Sequence, residues 1–154
     1  MYKVQGKGTY VKTDEGSNNL FSITSCTEDV LKLGLTPSKK VVVSELVDAN
    51  VKRAKALEIT TSDNVYMIGR ILYADKEPLN YTLTFLPEKI FPGLSKYDLK
   101  KESLYQIITE VYGVKITKAR RTIEAIGAQD EIAEYLDIEE GTPIILFRCI
   151  TYGI

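Results

Sequence analysis

The sequence predicts an α+β domain in which helices flank an antiparallel sheet and the fold is internally duplicated. Three observations predict this class. The 154 residues, 44% of them hydrophobic, are enough for one core and too few for two comfortable domains. Segments with strand-like alternation are interleaved with short segments that carry helix signals. The order helix, glycine, strand, helix, strand occurs twice, over residues 25–74 and 103–152.

The duplication is indicated by residue types that recur at a nearly constant separation. The separation is 79 residues (113 − 34 for the first pair) for Gly34 and Gly113, Ala49 and Ala128, Ala54 and Ala133, Leu57 and Leu136, and Ile59 and Ile138. It falls to 78 for Ser25 and Ser103 and for Arg70 and Arg148. The sequence therefore predicts Arg148 as the counterpart of Arg70.

Before the first unit, a turn is predicted at 6–8 with a strand leaving it, and the unit itself begins with a helix. "SCTEDVLKLG" (25–34) predicts a short helix with Thr27 as its N-cap and Gly34 at its end. The segment 40–49 is apolar enough for a mostly buried strand, and Asn50 can cap the helix that follows.

The remaining elements follow from apolar spacing. In the second of two predicted strands, 64–74 and 79–85, Tyr81, Leu83 and Phe85 share one face, and Asn80, Thr82 and Thr84 share the other. Apolar residues at i, i+3, i+4 and i+7 predict an amphipathic helix over 102–113. A long strand (114–128), a helix (129–136) and a final strand (142–152) complete the second unit.

Composition excludes several classes of function. A net charge of −1 and a pI near 5.6 give no sign of a nucleic-acid-binding surface on this chain. No apolar run approaches 18 residues and no signal-peptide pattern is present, so we expect a cytoplasmic domain with no membrane partner. The absence of histidine excludes a Ser-His-Asp triad and most zinc sites, and no metal or cofactor is predicted. Cys26 and Cys149 are expected to be buried, reduced thiols.

One set of residues could bind an anion. Ser25 and Ser103 begin equivalent helices, and the unpaired N–H groups of helix N-termini attract anions. Arg70 lies mid-strand on the side of Tyr66, Ile68 and Leu72, where its guanidinium needs an anionic or carbonyl partner. The alternatives are that Ser25, Thr27 and Ser103 only cap their own helices and that Arg70 forms an internal salt bridge or extends to solvent from an edge position.

Five segments in this order resemble a known family: "GKGTYV", "SCTED" with the glycine that ends its helix, "VYMIGRILYADKEPLNYTLTFLP", "SLYQIITEVYGV" and "IEAIGAQDEIAEYLDIEEGTPIILFRCITY". The first resembles the end of the wing in the winged helix-turn-helix domain of GntR-type regulators. The rest resembles the effector-binding (UTRA) domain of the HutC subfamily, which is similar in fold to chorismate lyase. The resemblance implies a wing remnant at 1–12, a linker at 13–19 and a UTRA domain at 20–154, with a further strand expected after the last segment.

The resemblance also implies site residues. In members that bind sugar phosphates, the pocket uses the positions of Ser25, Thr27, Ser103, Tyr105 and an Arg-x-Arg on the central strand. Here the Arg-x-Arg positions hold Arg70 and Leu72, and an acidic position that contacts sugar hydroxyls holds Thr82.

The function implied is a ligand-sensing and dimerisation domain of a transcription regulator. Its partners would be a small anionic effector such as a sugar phosphate, a second copy of the chain, and DNA through an upstream domain only. A carboxylate or a less charged metabolite is an alternative ligand. The alternative functions are a dimerisation domain without a ligand and an enzyme similar to chorismate lyase, which the "GKGTYV" segment disfavours.

Overall fold

The computed structural model describes residues 2–9 and 26–154, with only the backbone described for residues 2–9 and Cys26. The strands are β1 (Tyr2–Thr9), β2 (Pro37–Asp48), β3 (Asn64–Ala74), β4 (Glu77–Pro87), β5 (Ile116–Gly127) and β6 (Pro143–Gly153). The helices are α1 (Cys26–Lys32), α2 (Val51–Leu57), α3 (Leu104–Gln106) and α4 (Asp130–Leu136). A 3₁₀ turn (Leu94–Lys96) precedes α3, and a π-helical segment (Ile107–Val111) continues it.

Within the described residues the strands form one six-stranded sheet in the order β2-β3-β4-β1-β6-β5. Every neighbouring pair is antiparallel, so β2 and β5 form the two edges. The predicted α+β class, with helices packed on an antiparallel sheet, is confirmed.

The two units repeat in detail. The N–H of Ala49 donates to the carbonyl of Asp63 at 2.9 Å, and the N–H of Ala128 donates to the carbonyl of Thr142 at 2.8 Å. The two donors are 79 residues apart, and so are the two acceptors. Both α2 and α4 end on a residue in the left-handed region, Glu58 (φ 55°) and Asp137 (φ 52°). The duplication is therefore a property of the backbone. Asn50 caps α2 as predicted, and its Oδ1 accepts from the N–H of Arg53 at 2.8 Å.

The sheet has two apolar faces. On the α3 face, Tyr66, Ile68 and Leu86 pack against residues from Phe91 to Ile108. On the opposite face, called the α2/α4 face, the repeated helices α2 and α4 pack on β3 and β4, and each helix forms its own cluster of buried side chains with the sheet. Their members include Ala54, Leu57, Val65 and Phe85 around α2, and Ile71, Tyr81, Ala133 and Leu136 around α4.

The prediction that Arg148 is the counterpart of Arg70 in the second unit is wrong. Arg70 shares a face with its cross-strand neighbour Thr82, which lies opposite Gly6, whereas Arg148 lies opposite Gln5, one residue away. Successive residues of a strand point to opposite faces, so Arg148 belongs to the α2/α4 face. The constant separation of 79 instead makes Cys149 the equivalent of Arg70.

Three local predictions also need correction. Residues 6–8 lie within β1, with a shift of register between Lys7 and Thr9, and do not form a turn. α1 begins at Cys26, so Thr27 lies in its first turn and not at its N-cap. The helix predicted over 102–113 is a short α-helical turn followed by a π-helical segment.

The termini bear on the predicted domain limits. β1 is paired on both sides, with β4 and β6, so residues 2–9 form part of the sheet in this chain. Their origin as a wing remnant remains a prediction, and the predicted linker 13–19 lies outside the described residues. No helix in the described part of the chain is long and apolar enough to cross a membrane.

Candidate functional site

Arg70 lies in the middle of β3 on the α3 face. Its cross-strand partners are Val41 on β2 and Thr82 on β4, so the structure brings together two of the residues predicted from the sequence. The side chain is half-buried and its Nε atom is shielded from solvent. Arg70 therefore carries a positive charge on the same face as Thr82, its cross-strand neighbour.

A second cation, Lys39, stands on the same face. Lys39 is the cross-strand partner of Leu72, two residues along β3 from Arg70. Its Nζ donates a long hydrogen bond (3.5 Å) to the carbonyl of Glu102, the residue before Ser103 at the start of α3. The pKa of Lys39 is lowered, first by burial and then by the positive charge of Arg70. Lys39 and Arg70 therefore repel each other on a part of the α3 face that is partly shielded from water.

Lys39 also lies near Leu72, the position at which this chain differs from the Arg-x-Arg that the resemblance expects. The resemblance expects a second arginine at this position, but Leu72 is buried. Lys39 lies directly across from Leu72 on the neighbouring strand, where side chains on the same face are close neighbours. A positive charge therefore lies across from position 72, on β2.

Polar side chains continue from Arg70 along β4 on the same face. Asn80 and Thr84 are buried, and Thr82 between them donates from Oγ1 to the Oδ1 of Asn80 at 3.5 Å. The Oγ1 of Thr84 is fully buried and has no hydrogen-bond partner among the described residues. Across β1, Cys149 and the buried Thr151 extend this polar surface, with 3.6 Å between Sγ and Oγ1. The α3 face therefore carries hydroxyl, amide and thiol groups beside the two cations.

The other predicted site residues are placed differently. Ser103 caps α3 and accepts on Oγ from the N–H of Gln106 at 3.4 Å, which is the self-capping alternative. Tyr105 on α3 has an exposed fraction of 39%. Thr27 is half-buried in the first turn of α1, and Ser25 lies outside the described residues. None of these observations brings the four residues to Arg70.

A groove opens beside the site on the β2 side. It has a volume of about 320 Å³ and lies between the strands at Val41 and Ile68 and the segment 94–100. Val41 is the cross-strand partner of Arg70, but neither Arg70 nor Lys39 lines the groove, whose charged lining residues are Asp98 and Lys100. Among the described residues, no cluster of three or more acidic, cysteine or histidine side chains could hold a metal ion.

The sequence analysis missed Lys39 for two reasons. The predicted strand began at residue 40, whereas β2 begins at Pro37 and includes Lys39. The position of Lys39 beside Leu72 and Arg70 follows from the pairing of β2 with β3, which leaves no local signal in the sequence. The register shift between Val41 and Val43 comes after Lys39 and does not change the face on which it lies.

The fold is that of an effector-binding domain of a transcription regulator, and comparison with known proteins agrees. Residues 32–153 match the model of the UTRA domain, and the chain belongs to this family. The resemblance inferred from the sequence is thereby confirmed.

Individual relatives are named as regulators. The chain is 29% identical over 141 residues to the uncharacterized HTH-type transcriptional regulator YurK of Bacillus subtilis, covering 92% of this chain and 58% of that protein. It is 26% identical over 152 residues to the HTH-type transcriptional repressor NagR of Bacillus subtilis, covering 99% and 62%. The chain therefore spans about six-tenths of the length of these curated relatives.

A solved structure also agrees with the assignment to this family. The ligand-binding domain of a putative GntR-family transcriptional regulator from Bordetella bronchiseptica superposes with a TM-score of 0.71 at 27% identity. The match covers 76% of this chain and 75% of that one. These names favour a regulatory role over an enzymatic one.

Proposed function

We propose that this chain is the ligand-sensing and dimerisation domain of a DNA-binding transcription regulator. Its effector is a small anion bound on the α3 face between Arg70 and Lys39. The observation that carries the proposal is this pair of half-buried cations on neighbouring strands, with the pKa of Lys39 lowered partly by Arg70. A bound anion would relieve the repulsion between them and would form charge-assisted hydrogen bonds with both.

The polar groups along β4 favour an anion that also carries hydroxyl groups. Asn80 can both donate and accept hydrogen bonds, and the Thr82 and Thr84 hydroxyls can do the same. A phosphorylated sugar combines a charged group for the cations with hydroxyls for this row. With Thr82 in place of an acidic residue, hydroxyl recognition would use neutral partners. A carboxylate bound by the cations alone is the second candidate ligand.

The whole regulator would act through coupling between two sites. DNA would be bound by an upstream domain, of which residues 1–12 are the proposed end and 13–19 the linker. An effector that favours one arrangement of the two copies by about 1–3 kcal/mol changes DNA affinity by roughly 5- to 150-fold. A homodimer fits this mechanism, because paired DNA-binding domains must match two half-sites.

The test is thermal stabilisation of the chain by inorganic phosphate and by glucose 6-phosphate, with Arg70→Ala compared with the parent. At a ligand concentration about a hundredfold above Kd, binding adds about 2.7 kcal/mol to the free energy of unfolding. We expect the sugar phosphate to stabilise the parent and not the variant. Equal stabilisation of both proteins would contradict the site. No stabilisation by either compound or by a panel of carboxylates would favour a dimerisation domain without a ligand.

A further inference from the structure

β5 is an edge strand whose outer side is open in the described part of the chain. Its register with β6 is continuous from Lys118 to Gly127. Most of its side chains are exposed, including Ile123, whose exposed fraction is 52%. A long, regular edge presents unpaired N–H and C=O groups that can pair with another strand.

The opposite edge is protected. The bulge between Val41 and Val43 interrupts the pairing register of β2, and the lysines at positions 39 and 40 precede it. Bulges and lysines are devices that keep edge strands from pairing with other chains. β5 also carries basic residues and a register shift, but its shift lies near the start of the strand, between Ile116 and Lys118, whereas that of β2 interrupts the middle. The longer uninterrupted edge, from Lys118 to Gly127, makes β5 the one suited to association.

We propose that β5 pairs antiparallel with β5 of a second copy about a two-fold axis at Thr122, joining the two sheets into one. The proposal rests on the proposed function in that it assigns the surface of the dimer. The occupant of this edge is therefore a second copy of the chain itself.

Charge complementarity selects this register. With the axis at Thr122, residues equally distant from it face each other, so Arg120 lies opposite Glu124 of the second copy, and the pair occurs twice. An axis at Arg120 or Arg121 would place like charges opposite each other, which is unfavourable. Glu124 already lies 2.9 Å from Arg148 of its own chain, so each glutamate would stand between two arginines.

The two copies of residue 122 are the first test. Directly opposed residues of antiparallel strands have Cα atoms about 4.5–5.5 Å apart, within the range of a disulfide. We expect Thr122→Cys to form a disulfide-linked dimer under mild oxidation. The matched control is Ile123→Cys, whose two copies would be about 8 Å apart and out of disulfide range. The parent chain controls for Cys26 and Cys149.

A charge swap tests the register independently. Arg120→Glu and Glu124→Lys each place like charges opposite each other, and we expect each to raise the dimer Kd about tenfold. The double variant restores opposite charges across the axis and should restore dimerisation, although it also loses the ion pair with Arg148. Lys118→Glu, on the same face but opposite Ile126, is the control with little expected effect. Sedimentation equilibrium measures Kd, and circular dichroism checks folding.

The outcomes separate this proposal from the proposed function. A dimer in which Thr122→Cys links no better than Ile123→Cys, and in which the charge swap has no effect, overturns the β5 interface alone. A monomeric parent chain overturns both the interface and the dimerisation role. Effector binding is measured by thermal stabilisation, which neither result changes.

Discussion

Replacing Lys39 with methionine separates its effect on the stability of the free protein from its proposed role in binding an anion. In the ligand-free protein the folded-state pKa of Lys39 is lowered below its ordinary value of 10.5, so the charged form is disfavoured by folding. The unfolded state then binds more protons, and this lysine makes stability rise as the pH increases toward 10.5. We therefore expect Lys39→Met to have a neutral-pH Tm equal to or above that of the parent, with a flatter rise at alkaline pH.

Ligand binding should change in the opposite direction. A charge-assisted hydrogen bond contributes about 1.5–3 kcal/mol, so losing the one from Lys39 should weaken anion binding roughly ten- to hundredfold. The assay is calorimetric titration with glucose 6-phosphate at neutral pH, alongside thermal unfolding of the same proteins. A variant that is more stable when free and binds less tightly would identify Lys39 as a ligand-binding residue.

Two further variants make the test sharp. Lys40→Met is the matched control, because Lys40 is the next residue, exposed, and opposite Ile71 on the α2/α4 face. Lys39→Met combined with Leu72→Arg moves the second cation to the facing position on β3 and should recover affinity. Wild-type affinity in Lys39→Met, or equal losses in Lys39→Met and Lys40→Met, would refute the reasoning.

Three other outcomes are expected. Thr84→Val removes a buried hydroxyl without a partner among the described residues and should raise the free energy of unfolding by about 1 kcal/mol in urea titrations, while weakening a ligand that uses this hydroxyl. The pKa of Asp63 is lowered by hydrogen bonds, first from the Thr60 backbone and then from Lys89, so its contribution is present above pH 3.8 and lost as the pH falls through the lowered value; Asp63→Asn should remove that loss from acid-unfolding curves. Glu58→Gly and Asp137→Gly relieve left-handed backbone and should each stabilise by about 0.5–1 kcal/mol, and destabilisation of either would contradict this.

The fold could be predicted from the sequence because the same signals occur twice. β3 begins and ends at the predicted residues, 64 and 74, where an apolar run is bounded by polar residues. α2 begins after its predicted cap, Asn50, because a short polar side chain there satisfies a free N–H of the first turn. The place of residues 2–9 in the middle of the sheet was not predicted, since strand pairing between distant segments leaves no local signal.

The candidate site was predicted only in part. Arg70 was identified because a charged side chain in an apolar strand is a strong signal, whereas Thr82 was identified only through the resemblance to the family. Lys39 was missed because the predicted strand began one residue after it and because the pairing of β2 with β3, which brings it beside Leu72, leaves no local signal. Matching letters 78 residues apart also misled the comparison with Arg148, because the backbone repeats at 79.

At the proposed site, the equivalence of Arg70 and Cys149 would limit how an effector is oriented. The backbone repeat of 79 residues gives β3 and β6 equivalent positions on the α3 face, and these two residues occupy one such pair. With a guanidinium at one position and a thiol at the other, the charged end of the proposed effector would prefer the half of the sheet that holds Arg70. A difference at a single pair of equivalent residues would then decide which way round the ligand lies on a duplicated sheet.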